Sequence, residues 1–182
     1  MKKDWLALVG SEVMDSSNQD SLIRHAVKFT KDVIGVPEKT LCVGVGDGTE
    51  MDYFTNVKGI DISDESIRKC VEDGYDVVKM DMHDMTFPDG SFDLVFSKDN
   101  FEHAISPIEA MSEFARVSNK YVVIVVPDES WQSSGWHFII PTFKQMVTLA
   151  EKCGMALRAL REYNVMIGQM CVFQTLYIFQ KL

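Results

Sequence analysis

Apolar and polar positions along the chain follow two different periods. From residue 22 to residue 36 the apolar residues Leu22, Ile23, Ala26, Val27, Phe29, Val33 and Ile34 recur at mostly helical spacing until Pro37 stops them. That pattern predicts an amphipathic helix with Asp20 or Ser21 as its N-cap. From Leu41 onward, short apolar runs alternate with polar, glycine-containing segments, which predicts strands near 40–45, 57–62, 75–80, 92–97 and 120–126. Such alternation is the pattern of βαβ units in a parallel sheet. Ser106-Pro107-Ile108-Glu109 has the form of a capping box with proline at N1, and Ile108, Met111, Phe114 or Ala115, and Val117 then make an apolar stripe. A further helix is expected near 143–153, with Phe143, Met146, Val147 and Ala150 on one face and Gly154 closing it. Two last strands, near 155–163 and 171–180, are joined by too few residues for a parallel crossover and must form an antiparallel hairpin.

A chain of 182 residues with 46% hydrophobic and 25% charged content suits one domain with a packed core. We expect residues 1–37 to form an N-terminal helical segment and residues 38–182 the core of a single α/β domain. The net charge of -9 argues against a phosphate backbone as partner, since nucleic-acid binders carry a basic excess or stripe. Cys42, Cys70, Cys153 and Cys171 are scattered without a C-x-x-C pair and read as reduced thiols. No run approaches the ~18 apolar residues of a membrane span, and the start of the chain does not read as a signal peptide, so a cytoplasmic location is the default. The 11 Met and 11 Phe leave enough apolar surface for a homodimer contact.

Leu41-Cys42-Val43-Gly44-Val45-Gly46-Asp47-Gly48-Thr49 takes an apolar strand into a turn with three glycines. A second apolar segment, Gly59-Ile60-Asp61-Ile62, then ends at a carboxylate able to accept from two ribose hydroxyls. A dinucleotide fingerprint places its third glycine one residue later, where Thr49 stands, and Asp47 and Glu50 would repel a pyrophosphate. A cationic nucleoside-type ligand fits this pattern better.

Further blocks follow in order: Val77-Val78-Lys79-Met80-Asp81-Met82, then Phe87-Pro88-Asp89-Gly90-Ser91-Phe92-Asp93-Leu94-Val95-Phe96-Ser97, then Phe101-Glu102-His103, and finally Tyr121 to Pro127. Together with the glycine turn they resemble the class I S-adenosylmethionine-dependent methyltransferases, of the small single-domain, type 11-like kind, from about residue 40 onward. The resemblance implies a Rossmann-like, seven-stranded, mostly parallel sheet with a C-terminal antiparallel hairpin. It also implies an S-adenosylmethionine cofactor contacted by Gly44, Val45, Gly46, Gly48, Asp61, Ile62, Asp81, Met82 and Ser97. Within that set Asp81 would accept from the adenine amino group, with Met82 and Ile62 lining the base. The chain departs from the family at Cys42, where many members carry an acidic residue.

Methyl transfer requires a positioned nucleophile and, for a hydroxyl or neutral amine, a group that takes its proton. His103 and His137 are the candidates. Asp99, Glu102 and His103 are spaced to share one side of a helical turn, but a solvated helix start is the simpler reading and no metal is expected there. Residues 128–141, with Trp131 and Trp136, form a long connection beyond the fifth strand and a candidate wall of the acceptor pocket. The expected activity is methyl transfer to a small-molecule acceptor. The alternative is a non-catalytic module that binds S-adenosylmethionine or S-adenosylhomocysteine.

Overall fold

The computed structural model describes residues 19–128, 137–167 and 170–182. Seven strands are present, β1 (Thr40–Val43), β2 (Val57–Asp61), β3 (Val77–Lys79), β4 (Phe92–Lys98), β5 (Ser118–Pro127), β6 (Met155–Ile167) and β7 (Met170–Lys181). They form one sheet in the order β3-β2-β1-β4-β5-β7-β6, parallel throughout except where β7 runs antiparallel to both β5 and β6. The expected seven-stranded, mostly parallel sheet with a closing hairpin is the observed one. Its strand order reverses between β1 and β4, and the crevice beyond the carboxyl ends of those two strands is where open sheets of this type bind ligands.

Among the described residues there are four α-helices, α1 (Gln19–Ile34), α2 (Asp64–Glu72), α3 (Pro107–Val117) and α4 (Phe143–Lys152). Side chains of neighbouring strand positions go to opposite faces, which divides the core in two. Leu41, Val43, Val95, Val122 and Ile124 meet Met111, Phe114 and Met146 on one face. Cys42, Leu94, Phe96, Val123 and Val125 meet Ile23, Ala26, Val27 and Cys70 on the other. Every position of β4 is buried, as a central strand covered on both faces requires.

Several local expectations need correction. Gln19 is already helical, so α1 starts before the predicted cap at Asp20 or Ser21. Ser106 stands at the N-cap of α3 without a side-chain cap bond, and Ile108 is exposed, so the predicted capping box does not form there. Proline at N1 sets the start instead. The reciprocal box forms at α4, where the Thr142 hydroxyl accepts from Gln145 N and the Gln145 amide oxygen accepts from Thr142 N. Phe143 at the start of α4 is exposed, leaving Met146 and Ala150 as its buried residues.

Strands and helices also alternate less regularly than the pattern predicts. Residues 44–56 contain only a short 3-10 helix (Thr49–Tyr53), and residues 80–91 contain no helix. Pro88 and the left-handed Gly90 break the second connection, which is held instead by Arg116. Its guanidinium donates to the carbonyls of Met85 and Phe87 and to the Glu113 and Asp89 carboxylates, all at 2.7–2.8 Å. Residues 1–18 and the two-tryptophan part of the loop, Trp131 and Trp136 included, lie outside the described residues, as does the Cys171 side chain.

Candidate active site

The turn after β1 follows from its glycines. Gly44, Gly46 and Gly48 all have positive φ, at 74°, 53° and 83°, a region that costs an L-residue about 1–2 kcal/mol. Gly44 also permits a close approach: a Cβ there would lie 2.3 Å from Asn100 Cγ. Asn100 follows β4 directly, so its buried side chain sits on the turn at the point where the strand order reverses. It also donates to Met82 Sδ at 3.7 Å, joining three segments at one point. Sequence reasoning missed Asn100; the only signal was its place one residue after Asp99, itself in a left-handed conformation at φ 49°. At Gly46, by contrast, a Cβ would meet nothing within 4 Å, so this part of the turn faces open space.

Asp61 closes the turn from below. Its carboxylate accepts from Gly46 N at 2.9 Å and Ser63 N at 2.8 Å, while Ser63, not Asp61, caps α2 by accepting from Ser66 N. Burial raises the Asp61 pKa, and those backbone N–H groups oppose the rise. Each carboxylate oxygen keeps a second lone pair, so both oxygens remain competent to accept from a diol. Asp81 is held by His83, whose backbone N–H and Nδ1 reach the same Oδ1 at 2.9 and 2.6 Å. Ser106 N donates to His83 Nε2 at 3.4 Å, which leaves Nδ1 as the protonated nitrogen facing Asp81. His83 was not singled out in the sequence, although an Asp two residues before a His has the spacing of an Asx turn.

The remaining nominated residues divide by exposure. Val45 and Met82 direct their side chains into the core, so Val45 offers a ligand only its backbone. Ile62 is half-buried, and Ser97 is fully buried with no hydrogen-bond partner for its hydroxyl. Cys42 is buried on the opposite face of the sheet from Val43, and burial first, then the nearby Glu50 charge, pushes its thiol pKa well up. Glu50 is 7% exposed, and burial pushes its pKa up to about 8, with Lys98 opposing and Asp47 and Asp61 adding to the rise. A buried carboxylate therefore stands close to the position where the family's acidic residue is missing.

His103 and His137, from separate segments, are brought together with ring centroids 5.3 Å apart. The contact is set by backbone: Glu102 O accepts from Phe138 N at 3.0 Å and Ile139 N at 3.2 Å, docking the second segment on the short 3-10 helix (Phe101–His103). Asp99 does not join them. Its carboxylate pairs with Lys98 and accepts from Gln174 Nε2 at 2.5 Å. Among the described residues the group able to hold an ion is Glu102, His103 and His137, with His137 where the sequence suggested Asp99.

The chemistry of these residues fits a cationic nucleoside donor, with an open glycine turn, diol-competent Asp61, and carboxylates at 47, 50, 61, 81, 99 and 102. Residues 41–126 match the model of the methyltransferase domain family. No curated protein sequence matches the chain at a significant level. Among solved structures the fold is similar to the protein bound by the Haloferax volcanii Trm112 methyltransferase activator, at 14% identity and TM-score 0.74, covering 96% of this chain and 97% of that one. It is also similar to an S-adenosylmethionine-dependent methyltransferase from Methanosarcina mazei, at 18% identity and TM-score 0.70 over 85% and 97% of the two chains. A third is magnesium protoporphyrin IX methyltransferase from Synechocystis with bound S-adenosylhomocysteine, at 10% identity and TM-score 0.70 over 100% and 94%. The match marks residues 41–126 as a methyltransferase domain, and the fold around it is the one its S-adenosylmethionine-dependent neighbours share. The non-catalytic alternative is not favoured. No helix among the described residues is long and apolar enough to cross a membrane.

Proposed function

We propose that the chain methylates a small-molecule acceptor, holding S-adenosylmethionine in the crevice beyond β1 and β4 and the acceptor beside His103 and His137. The observation that carries this reading is the pairing of those two imidazoles by loop docking on Glu102, just past the β4 end of the crevice. When bound, the cofactor supplies an electrophilic methyl group on a sulfonium, which an acceptor lone pair takes as the neutral thioether departs.

The chain's own residues do the rest. The open face at Gly46 lets a ligand lie against the turn, Asp61 accepts from the ribose diol, and Asp81, fixed by His83, accepts from the adenine amino group. Gly44, Gly48, the Val45 backbone and Ile62 complete the walls, with the buried Met82 and Ser97 packed behind them. Glu50, once ionised above about pH 8, offers the cationic end of the donor the charge that Cys42 does not carry. His103 and His137 remove the acceptor's proton, which an uncharged hydroxyl or amine must lose. An overall charge of -9 supports a small acceptor over a polyanion.

The test is turnover with a panel of hydroxyl, amine and thiol acceptors. His103→Ala and His137→Ala are expected to lower kcat by roughly a hundredfold while cofactor affinity stays within about threefold. Unchanged turnover in both variants would remove the histidines from the chemistry.

A further inference from the structure

We propose that Glu102, His103 and His137 form a binding site for one divalent transition-metal ion. One carboxylate oxygen and one ring nitrogen from each histidine lie within 4.8 Å of one another. Ligands about 2.1 Å from a tetrahedral ion stand roughly 3.4 Å apart, so the group closes on an ion by side-chain rotation of about an ångström. The backbone need not move. Glu102 and His103 are neighbours on one 3-10 turn, and the Phe138 and Ile139 N–H bonds to Glu102 O hold the segment of His137 against it.

The second observation is independent of the cluster's composition. Glu102 is 1% exposed, yet its Oε2 has no hydrogen-bond partner. A carboxylate oxygen buried without a donor is costly, and a cation satisfies it. The nearest charges do not: Lys98 pairs with Asp99, whose other oxygen is taken by Gln174. Both histidines are half-buried, so an ion can reach them from solvent.

Two imidazoles and one carboxylate select zinc, cobalt, nickel or ferrous iron over magnesium or calcium, which take oxygen ligands. Three protein ligands leave coordination positions open, as catalytic metal sites do. Ion binding itself is independent of the methyltransferase reading. Its use rests on that reading for the placing of the acceptor alone: with the ion bound the two histidines would be its ligands, and an acceptor oxygen on an open position would give its proton to solvent at lower pH.

The test uses the full chain, stripped with chelator and free of cofactor and acceptor. Titration with cobalt(II) is followed by its d–d absorption, and with zinc(II) by calorimetry. The expected result is saturation at one equivalent with micromolar Kd, weakened roughly tenfold or more in Glu102→Gln, His103→Ala and His137→Ala and unchanged in His25→Asn. Circular dichroism checks each fold, and His137→Ala, at a half-buried position, keeps the test readable if the buried substitution unfolds the chain. Absence of saturable binding below millimolar concentration, or binding indifferent to His137→Ala, overturns the proposal. Neither result depends on cofactor binding, which titration of an Asp61→Ala variant with S-adenosylmethionine reports separately.

Discussion

Gly44 and Gly46 separate two reasons for a glycine. Both have positive φ, but a Cβ at Gly44 collides with Asn100 and a Cβ at Gly46 meets nothing. Gly44→Ala is expected to cost about 2–4 kcal/mol in denaturant unfolding, and Gly46→Ala only about 1–2. Gly46→Ala should nonetheless weaken the cofactor. Equal stability losses would contradict the packing of Asn100 on the turn. Glu50 makes a pH-dependent prediction. With Cys42, Lys98, Asp47, Asp61 and Cys70 around it, its pKa is raised from 4.5 to about 8. The folded state therefore holds a proton that the unfolded state lacks between those values, and stability falls as pH rises through that window. Glu50→Gln should stabilise the protein at pH 8.5, by at most about 4 kcal/mol, and hardly at pH 4.5. A cationic ligand prefers the ionised form, so S-adenosylmethionine affinity should rise from about pH 6 to 8.5 while S-adenosylhomocysteine affinity stays level. Parallel pH profiles for the two would place Glu50 away from the sulfonium. The turn at the three glycines was legible because its backbone chemistry is local. Glu50 and Asn100 were not, because burial and contact across strands leave no periodic trace.

Among the elements, the strands were the most legible, since each apolar run in a parallel sheet is buried on both faces and is bounded by polar turns. The crossovers were less so. Pro88 and Gly90 argue against a helix in residues 80–91, but what holds the connection in its place leaves no mark there; that depends on Arg116, a residue on α3, taking the carbonyls of Met85 and Phe87. Arg116→Met is expected to destabilise by about 2–3 kcal/mol, from lost charged hydrogen bonds and a Glu113 carboxylate left with only Met85 N. Thermal unfolding measures it, and a loss below about 0.5 kcal/mol would mean that the connection holds without Arg116. Ser106 and Thr142 show the same limit at smaller size. Both begin helices with a partner at N3, and only Thr142 forms the box, because a side-chain cap depends on the entry angle of the preceding chain.

At the scale of the molecule, the sheet order brings segments distant in sequence to one edge. The glycine turn after β1, Asp61 as the last residue of β2, Asp81 after β3 and Asn100 after β4 all stand at strand carboxyl ends. That convergence was legible as an ordered series of blocks. The joining of His103 with His137 was not, because it depends on two backbone hydrogen bonds to Glu102. The proposed function rests on this edge holding S-adenosylmethionine with Asp61 on the ribose. It is tested most directly by calorimetric titration of the purified protein and of Asp61→Ala with S-adenosylmethionine, S-adenosylhomocysteine and, as control, NADH. Micromolar binding of the first two at one per chain, no binding of NADH, and a loss of roughly tenfold or more in the variant are expected. Binding undiminished by Asp61→Ala, or preference for NADH, would contradict it.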